Sequence, residues 1–362
     1  MKQIISAKYK RFVLYVEIFI VILLLPVLYN FVPVNQGTAT FYIPSSNIED
    51  VTGTLEKNGY TVTWIDKLML QLIRTPQEGW YSVKPHEQGR FFFFEYLHKQ
   101  KTDTMDVIVY GGETAQELVA RLAKDMKLDK DKLLKNYQRL TRFQEADIFA
   151  KRYTIARKAD ENTTMQYLFD SSQKILEVFE KKYFHKKPDI LDLKVLLTIA
   201  SIIQKESNSV KEMPAIASVI YNRLNKGMKL QMDSTLNYGE YSHSVITPQR
   251  IKTDTSYYNT YKHKGLPPYP LGTVTEDALY AAIHPLRSDY LFFMLNKEGK
   301  HDFAASYAKH LENLKAFREH QKNRTNRKKE KKYKTKKIKP SKPKAKDRKE
   351  KNAASFFIPA KY

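Results

Sequence analysis

Residues 12–31 read FVLYVEIFIVILLLPVLYNF, an apolar run interrupted only by Glu17 and Asn30. A bilayer core about 30 Å thick is spanned by about 20 such residues in a helix. The run therefore predicts a transmembrane helix over 12–32, with Glu17 near headgroup level and Pro26 as a tolerated kink. Lys2, Lys8, Lys10 and Arg11 precede it. The bias of basic residues towards the inner face puts residues 1–11 in the cytoplasm and the rest outside, with the chain held in the cell membrane by a single pass. A cleaved signal segment or a buried core helix would also be apolar. The run is long for a signal core, however, and no small-residue cleavage site follows it closely.

What remains has room for about two ordinary domains. The formal charge of +23 is unevenly spread: residues 318–351 hold 18 Lys/Arg and 4 Asp/Glu, so a tail carries +14 of it. Residues 321–362, lysine-dense and broken by Pro340 and Pro343, read as a disordered basic tail. Such a tail attracts anionic polymers or phospholipid headgroups. Nucleic acid is the usual partner of a run like this, but the expected topology places it outside the cytoplasm, so none is expected. The chain has no cysteine. That removes disulfides, thiolate nucleophiles and Cys-ligated zinc or iron–sulfur centres. His284 and His301 lack the spacing of a metal motif, so neither a metal nor another cofactor is expected.

Between anchor and tail the patterning predicts an α+β chain. In residues 35–136, Thr38–Pro44 and Gly79–Pro85 read as strands and Asn47–Lys57 as a helix with Ile48, Val51 and Leu55 on one side. Similar elements recur: a strand over Met105–Tyr110, a Gly111-Gly112 turn, a helix capped by Thr114 and another from Asp129. This is a weak internal duplication. Residues 137–320 read as a mostly helical second domain.

The chemistry centres on Leu193–Ser207. Val195, Ile199, Ile202 and Glu206 follow helical spacing and fall on one side, with Lys194, Ser201 and Gln204 opposite. Glu206 is thereby aimed at the core or at a cleft floor. Removal from water raises a carboxyl's pKa and suits it to protonating a leaving oxygen near neutral pH. A glutamate that merely ends a helix and pairs with a buried Arg or a backbone amide fits the same pattern. A second helix over Lys211–Lys226 carries Tyr221, Asn222 and Arg223. The loop after it presents Gln231, Asp233, Ser234 and Thr235, side chains able to bind hydroxyls and amides. Tyrosines and prolines between Tyr257 and Pro270 add aromatic faces of the kind that stack on sugar rings.

Taken in order, IASIIQKES (199–207), AIASVIYNRLNKGMKLQMDSTLNYG (215–239), YYNTYKHKGLPPYPLGT (257–273) and AAIHPLRSDYLFFM (281–294) resemble the endolytic murein transglycosylases of the YceG-like family. The resemblance extends over most of 38–318. Residues 161–187 show no clear equivalent of the Pro/Thr/Tyr segment the family usually has before the catalytic helix. The resemblance implies a LysM-like subdomain over 35–136 that contacts glycan and a catalytic domain over 137–320. It implies a lyase reaction on peptidoglycan glycan strands, in which Glu206 protonates the bond between N-acetylmuramic acid and N-acetylglucosamine. The muramoyl C6 hydroxyl then closes onto C1, giving a 1,6-anhydro end and terminating strand growth. Tyr221, Asn222, Arg223, Gln231, Asp233, Ser234, Asn259 and Tyr261 match motif positions and are expected to bind substrate. Peptidoglycan synthases (penicillin-binding proteins) are the implied partners. Hydrolysis of the same bond, with Asp233 positioning water, and a non-catalytic wall-binding scaffold remain alternatives.

Overall fold

The computed structural model describes residues 2–34, 37–83 and 89–320; the basic tail lies outside them. Helix α1, Lys2–Phe31, contains the apolar run and Pro26 without a break. Within it Tyr9–Phe31 is long and apolar enough to cross a membrane. Its C-terminal end is docked: Asn30 Oδ1 accepts from the Phe91 amide at 3.1 Å.

The expected duplication is more complete than the sequence pattern suggests. The first unit runs β1 (Thr40–Ile43), α2 (Ile48–Lys57), α3 (Trp64–Leu72) and β2 (Gly79–Ser82), with β1 and β2 antiparallel. The second runs β3 (Thr104–Ile108), α5 (Ala115–Met126), α6 (Lys130–Leu140) and β4 (Arg152–Ala156), again with its strands antiparallel. Helix α4 (Arg90–Tyr96) lies between the units. Each unit is therefore βααβ. Local capping sets the helix starts. Thr63 with Asp66 and Thr114 with Glu117 form capping boxes, and Asp129 accepts from the first amides of α6, satisfying donors that have no partner within the helix. The boundary expected at 136/137 falls inside α6. The second unit closes only at β4, because that strand pairs with one more than forty residues earlier and nothing local in the sequence announces the pairing.

Each unit has its own apolar core. Phe41, Val51, Leu55, Leu70, Tyr81 and Phe94 fill the first, and Val107, Leu118, Leu122, Leu133 and Ile155 fill the second. Residues 161–187, for which the sequence offered no family equivalent, are dominated by one long helix, α7 (Glu161–Tyr183).

The third core is built around α8 (Ile190–Glu206), packed by α9 (Met213–Asn225) and α12 (Glu276–Ile283). The expected one-sided stripe on α8 is not what forms. Val195 is 49% exposed and Ser201 is fully buried. The cause is burial on several sides. Ser201 Oγ accepts from the Leu271 amide at 3.0 Å, and Gln204 Oε1 accepts from the amide and hydroxyl of Thr275 at 3.1 and 2.7 Å. The polar face of α8 is thus matched to the backbone of 271–275 instead of to water.

That segment also joins the second βααβ unit to α8. The Gly112 amide donates to Thr273 O at 2.8 Å and the Thr273 amide to Glu113 O at 2.9 Å. A Cβ on Gly272 would lie 2.8 Å from the Gly112 and Glu113 carbonyl oxygens, so only glycine permits this approach. The remaining elements are α10 (Asp233–Leu236), α11 (Pro248–Thr253), a hairpin of β5 (Phe292–Leu295) and β6 (His301–Ala304), and a helix over 307–320.

Candidate active site

Glu206 is the last residue of α8, and Ser207 leaves the helix in extended conformation. The side chain is partly exposed. The Ser234 amide, in the single turn of α10, donates to Glu206 Oε1 at 3.0 Å. Among the described residues Glu206 forms no ion pair. Burial pushes its pKa above the ordinary carboxylate value. Hydrogen bonding from Ser234 opposes that shift, the nearby Asp233 charge adds to it, and His301 opposes it. The outcome is a carboxyl biased towards its protonated form, the state a general acid needs before it acts.

Asp233 is exposed, and its Oδ1 accepts from the Tyr261 hydroxyl at 2.6 Å. Burial, then this bond and the Asp233 charge, raise the Tyr261 pKa, so the phenol is neutral and donates. Two loops bring these groups together. The Gln231 amide donates to Thr260 O at 3.1 Å, the Met232 amide to Thr260 Oγ1 at 3.1 Å, and the Thr235 and Thr260 hydroxyls lie 2.9 Å apart. Gln231 takes a left-handed conformation (φ 51°) and is exposed.

The structure thus gathers Ser234, Asp233 and Tyr261 beside Glu206, with Gln231 in the same loop. The other expected binding residues are engaged in holding the fold. Fully buried Asn259 ties its loop together, donating from Nδ2 to Ile251 O and Asp254 O at 2.9 and 2.8 Å and accepting from the Tyr261 amide. Arg223 is buried, donates to Leu291 O and Leu230 O, both at 2.6 Å, and lies over the Phe292 ring. Asn222 Nδ2 donates to Ser288 O and Tyr290 O. The Tyr221 hydroxyl donates to Ala282 O at 2.7 Å, and its ring lines a separate cavity beside Phe184 and Pro188. Side chains of these types suit substrate hydroxyls and backbone carbonyls equally, so sequence alone does not separate the two uses.

Sequence reasoning passed over three features: the partner of His301, the burial of Lys205 and a cavity beyond α10. His301 is paired through Nδ1 with Glu212 Oε2 at 3.0 Å, and its side chain is nearly buried. The two residues are 89 positions apart, and no local motif links them. Behind Glu206, Lys205 is held by burial below its usual pKa, opposed by the charges of Glu117 and Glu145. Beyond α10 opens a cavity of about 660 Å³, lined by Tyr238, Tyr241, Tyr258, Arg250 and hydroxyl-bearing residues. Tyr238 and Tyr258 are stacked there, 4.5 Å between centroids.

Known proteins resemble this chain in sequence and in shape. A sequence model of the YceG-like family matches residues 41–316. An endolytic murein transglycosylase of Bacillus subtilis (strain 168) is 32% identical over 152 residues, 42% of this chain and 42% of that protein. The endolytic murein transglycosylase of Streptococcus pneumoniae (strain D39) is 32% identical over 177 residues, 47% of this chain and 31% of its relative. Both matches span less than half of the relative's length. The crystal structure of a YceG-like protein from Listeria monocytogenes superposes with a TM-score of 0.51 at 23% identity, covering 75% of this chain and 97% of that one, and shares its fold. With the family model spanning 41–316 and the Glu206 helix inside it, the chain belongs to the YceG-like family.

Proposed function

We propose that this protein is an endolytic murein transglycosylase that cuts peptidoglycan glycan strands from a membrane anchor. Glu206 protonates the glycosidic oxygen between N-acetylmuramic acid and N-acetylglucosamine as the C1–O bond breaks. Its carboxylate then accepts the proton of the muramoyl C6 hydroxyl while that oxygen bonds to C1. The acid is regenerated, no water is consumed, and the new end is a 1,6-anhydromuramoyl residue. One carboxyl can serve both halves of the cycle, where a hydrolase divides them between two. Tyr261 and Asp233, with Gln231, bind the sugars.

The observation that carries this reading is the state of Glu206: partly exposed, free of any ion pair among the described residues, biased towards the protonated form, and bonded to the short turn that also carries Asp233 and its partner Tyr261. The names of the relatives support the substrate class. The apolar helix over Tyr9–Phe31 supports an anchor with residues 1–11 inside and the catalytic part outside. The two βααβ units are read as LysM-like modules that contact glycan. Cutting close to the membrane would terminate nascent strands, with peptidoglycan synthases as partners.

Mass analysis of products from defined glycan strands tests the reaction. Wild-type protein is expected to leave anhydro ends, one water lighter than reducing ends, and Glu206→Gln to leave the strands intact. Reducing ends would make the protein a hydrolase, with Asp233 positioning water. Binding without any new ends would leave a wall-bound scaffold.

A further inference from the structure

Helix α3 carries apolar side chains on two sides. Its inner side buries Leu70 in the core of the first βααβ unit and Asp66 against Arg90. On the opposite side Trp64, Leu68 and Leu72 are 74%, 45% and 75% exposed. Spaced four residues apart, they turn by only about 40° from one to the next and form a continuous stripe. Single apolar residues on a surface need no explanation, but a stripe of three headed by tryptophan asks what covers it. Lys67 and Gln71 border the stripe and Arg74 lies just past its end, all exposed.

The place of α3 relative to α1 supplies the answer. Lys10 and Arg11 fix the start of the apolar run at residue 12. A helix from there crosses a core about 30 Å thick in about 20 residues, so the far boundary falls near Phe31. Tyr29, in the last turn of α1, donates its hydroxyl to Asp66, two residues from Trp64. Asn30 accepts from the amide of Phe91, the neighbour of Phe92, which is 44% exposed. Arg90 donates to Pro33 O at 2.8 Å, and Val34 already packs against the core of the first unit. The span therefore runs into that unit without a tether. Trp64 and Phe92 each lie within two residues of a group bonded to the end of α1, the depth at which aromatic residues gather at a membrane surface.

We propose that the α3 stripe, together with Phe92, rests in the headgroup region of the leaflet from which α1 emerges. The first βααβ unit is then seated on the bilayer and not merely held near it. Lipid is the occupant because the stripe is tied to the end of the span, where Phe31 and Val32 are apolar and exposed as well. Lys67 and Arg74 can extend their charges to anionic headgroups while their stems lie along the apolar surface. The inference rests on the reading of α1 as a membrane span and is independent of the reaction at Glu206.

Trp64 is its own probe, since the other tryptophan of the sequence, Trp80, is 3% exposed. The full chain is reconstituted in vesicles of phosphatidylcholine and phosphatidylglycerol, and Trp64 emission is taken as the difference from Trp64→Phe. Lipids brominated near the headgroup end of their chains are expected to quench it at least twofold, and more than lipids brominated at the bilayer centre. Aqueous acrylamide should quench it little. Leu68→Glu with Leu72→Glu keeps the probe and alters only exposed positions. It should at least halve the quenching by lipid and raise that by acrylamide, with an unchanged melting midpoint and a chain that still resists carbonate extraction.

Wild-type Trp64 open to acrylamide and untouched by brominated lipid would overturn the proposal while leaving α1 in the bilayer. Unchanged quenching in the double variant would do the same. Protection of Trp64 that arises only when a second protein is added would give the stripe to a protein partner and also overturn it. If carbonate strips the wild type from the vesicles, the reading of α1 as a span fails and the proposal falls with it, whereas strand cleavage by the same preparation is judged separately.

Discussion

The Ser234 amide donates to Glu206 Oε1 at 3.0 Å, while the neighbouring Asp233 side chain is turned to the Tyr261 hydroxyl at 2.6 Å. Adjacent residues of one short turn therefore act on the carboxyl in opposite senses. The Ser234 bonding lowers its pKa, and the Asp233 charge raises it.

Rate should follow that balance. A general acid must start protonated, so activity falls as pH rises through the pKa of Glu206. Asp233→Asn removes a neighbouring negative charge and is expected to move the alkaline limb of kcat/KM to lower pH by about half a unit to one unit. Tyr261→Phe takes the hydrogen bond from Asp233, leaves its charge less compensated, and should move the limb the other way. The pH profiles of the two variants on one soluble glycan substrate decide this. Shifts in the same direction would show that Asp233 is not coupled to Glu206 through its charge.

Glu145 gives a stability signature separable from activity. It is 5% exposed and accepts from the Ala115 amide at 2.8 Å. Burial pushes its pKa up from 4.5 to about 8, against that bond and the Lys205 charge. Between pH 4.5 and about 8 the folded state holds a proton that the unfolded state has released, so stability falls as pH rises across that window. The loss is on the order of a few kcal/mol. Glu145→Gln keeps the neutral shape and should flatten the dependence. Thermal melts from pH 5 to 9 should show the wild-type midpoint falling relative to the variant.

The two parts of the chain were legible to different degrees. The apolar helix α1, the first strands and the capped helices follow from short-range signals: an apolar run, and Asn47, Thr114 and Asp129 before their helices. Glu206 could be singled out because it ends an apolar helix. The closing strand of the second unit, the Glu212–His301 pair and the seat of Ser201 and Gln204 on 271–275 depend on contacts between residues far apart in sequence. Arg223 and Asn259 carry motif-like chemistry but give it to backbone carbonyls.

Arg223 can be separated from a binding role. It joins the end of α9 to β5 and to the loop that delivers Gln231. Arg223→Ala leaves buried carbonyls unpaired and is expected to cost about 3 kcal/mol of stability. Arg223→Lys should recover little, because one ammonium does not reproduce the guanidinium fork. Both variants should show a lowered melting midpoint, with KM of the folded fraction near wild type. A raised KM without loss of stability would restore Arg223 to the binding surface.

The C-terminal end of α1 meets a buried charge hub. Arg90 is 1% exposed and Asp66 is fully buried. Arg90 Nε donates to Asp66 Oδ1 at 2.9 Å, and its other nitrogens reach Pro33 O and Thr61 O, both at 2.8 Å. The Tyr29 hydroxyl, from the end of α1, donates to the same carboxylate. Burial alone would raise the Asp66 pKa, but hydrogen bonds from Arg90, Tyr29 and Thr63 outweigh it and hold the carboxyl below its usual value of 3.8. A depressed carboxylate contributes its stability above the unfolded pKa and loses it as pH falls through the folded one. The contribution is therefore complete at neutral pH and disappears only in acid. Arg90→Met strands a buried carboxylate and is expected to cost about 3–5 kcal/mol at pH 7. Asp66→Asn added to Arg90→Met removes that stranded charge and should recover part of the loss. Chemical unfolding of the three proteins at pH 7 measures the recovery. A double variant no more stable than Arg90→Met would mean that packing of the guanidinium, and not its charge, holds α1 to the first βααβ unit.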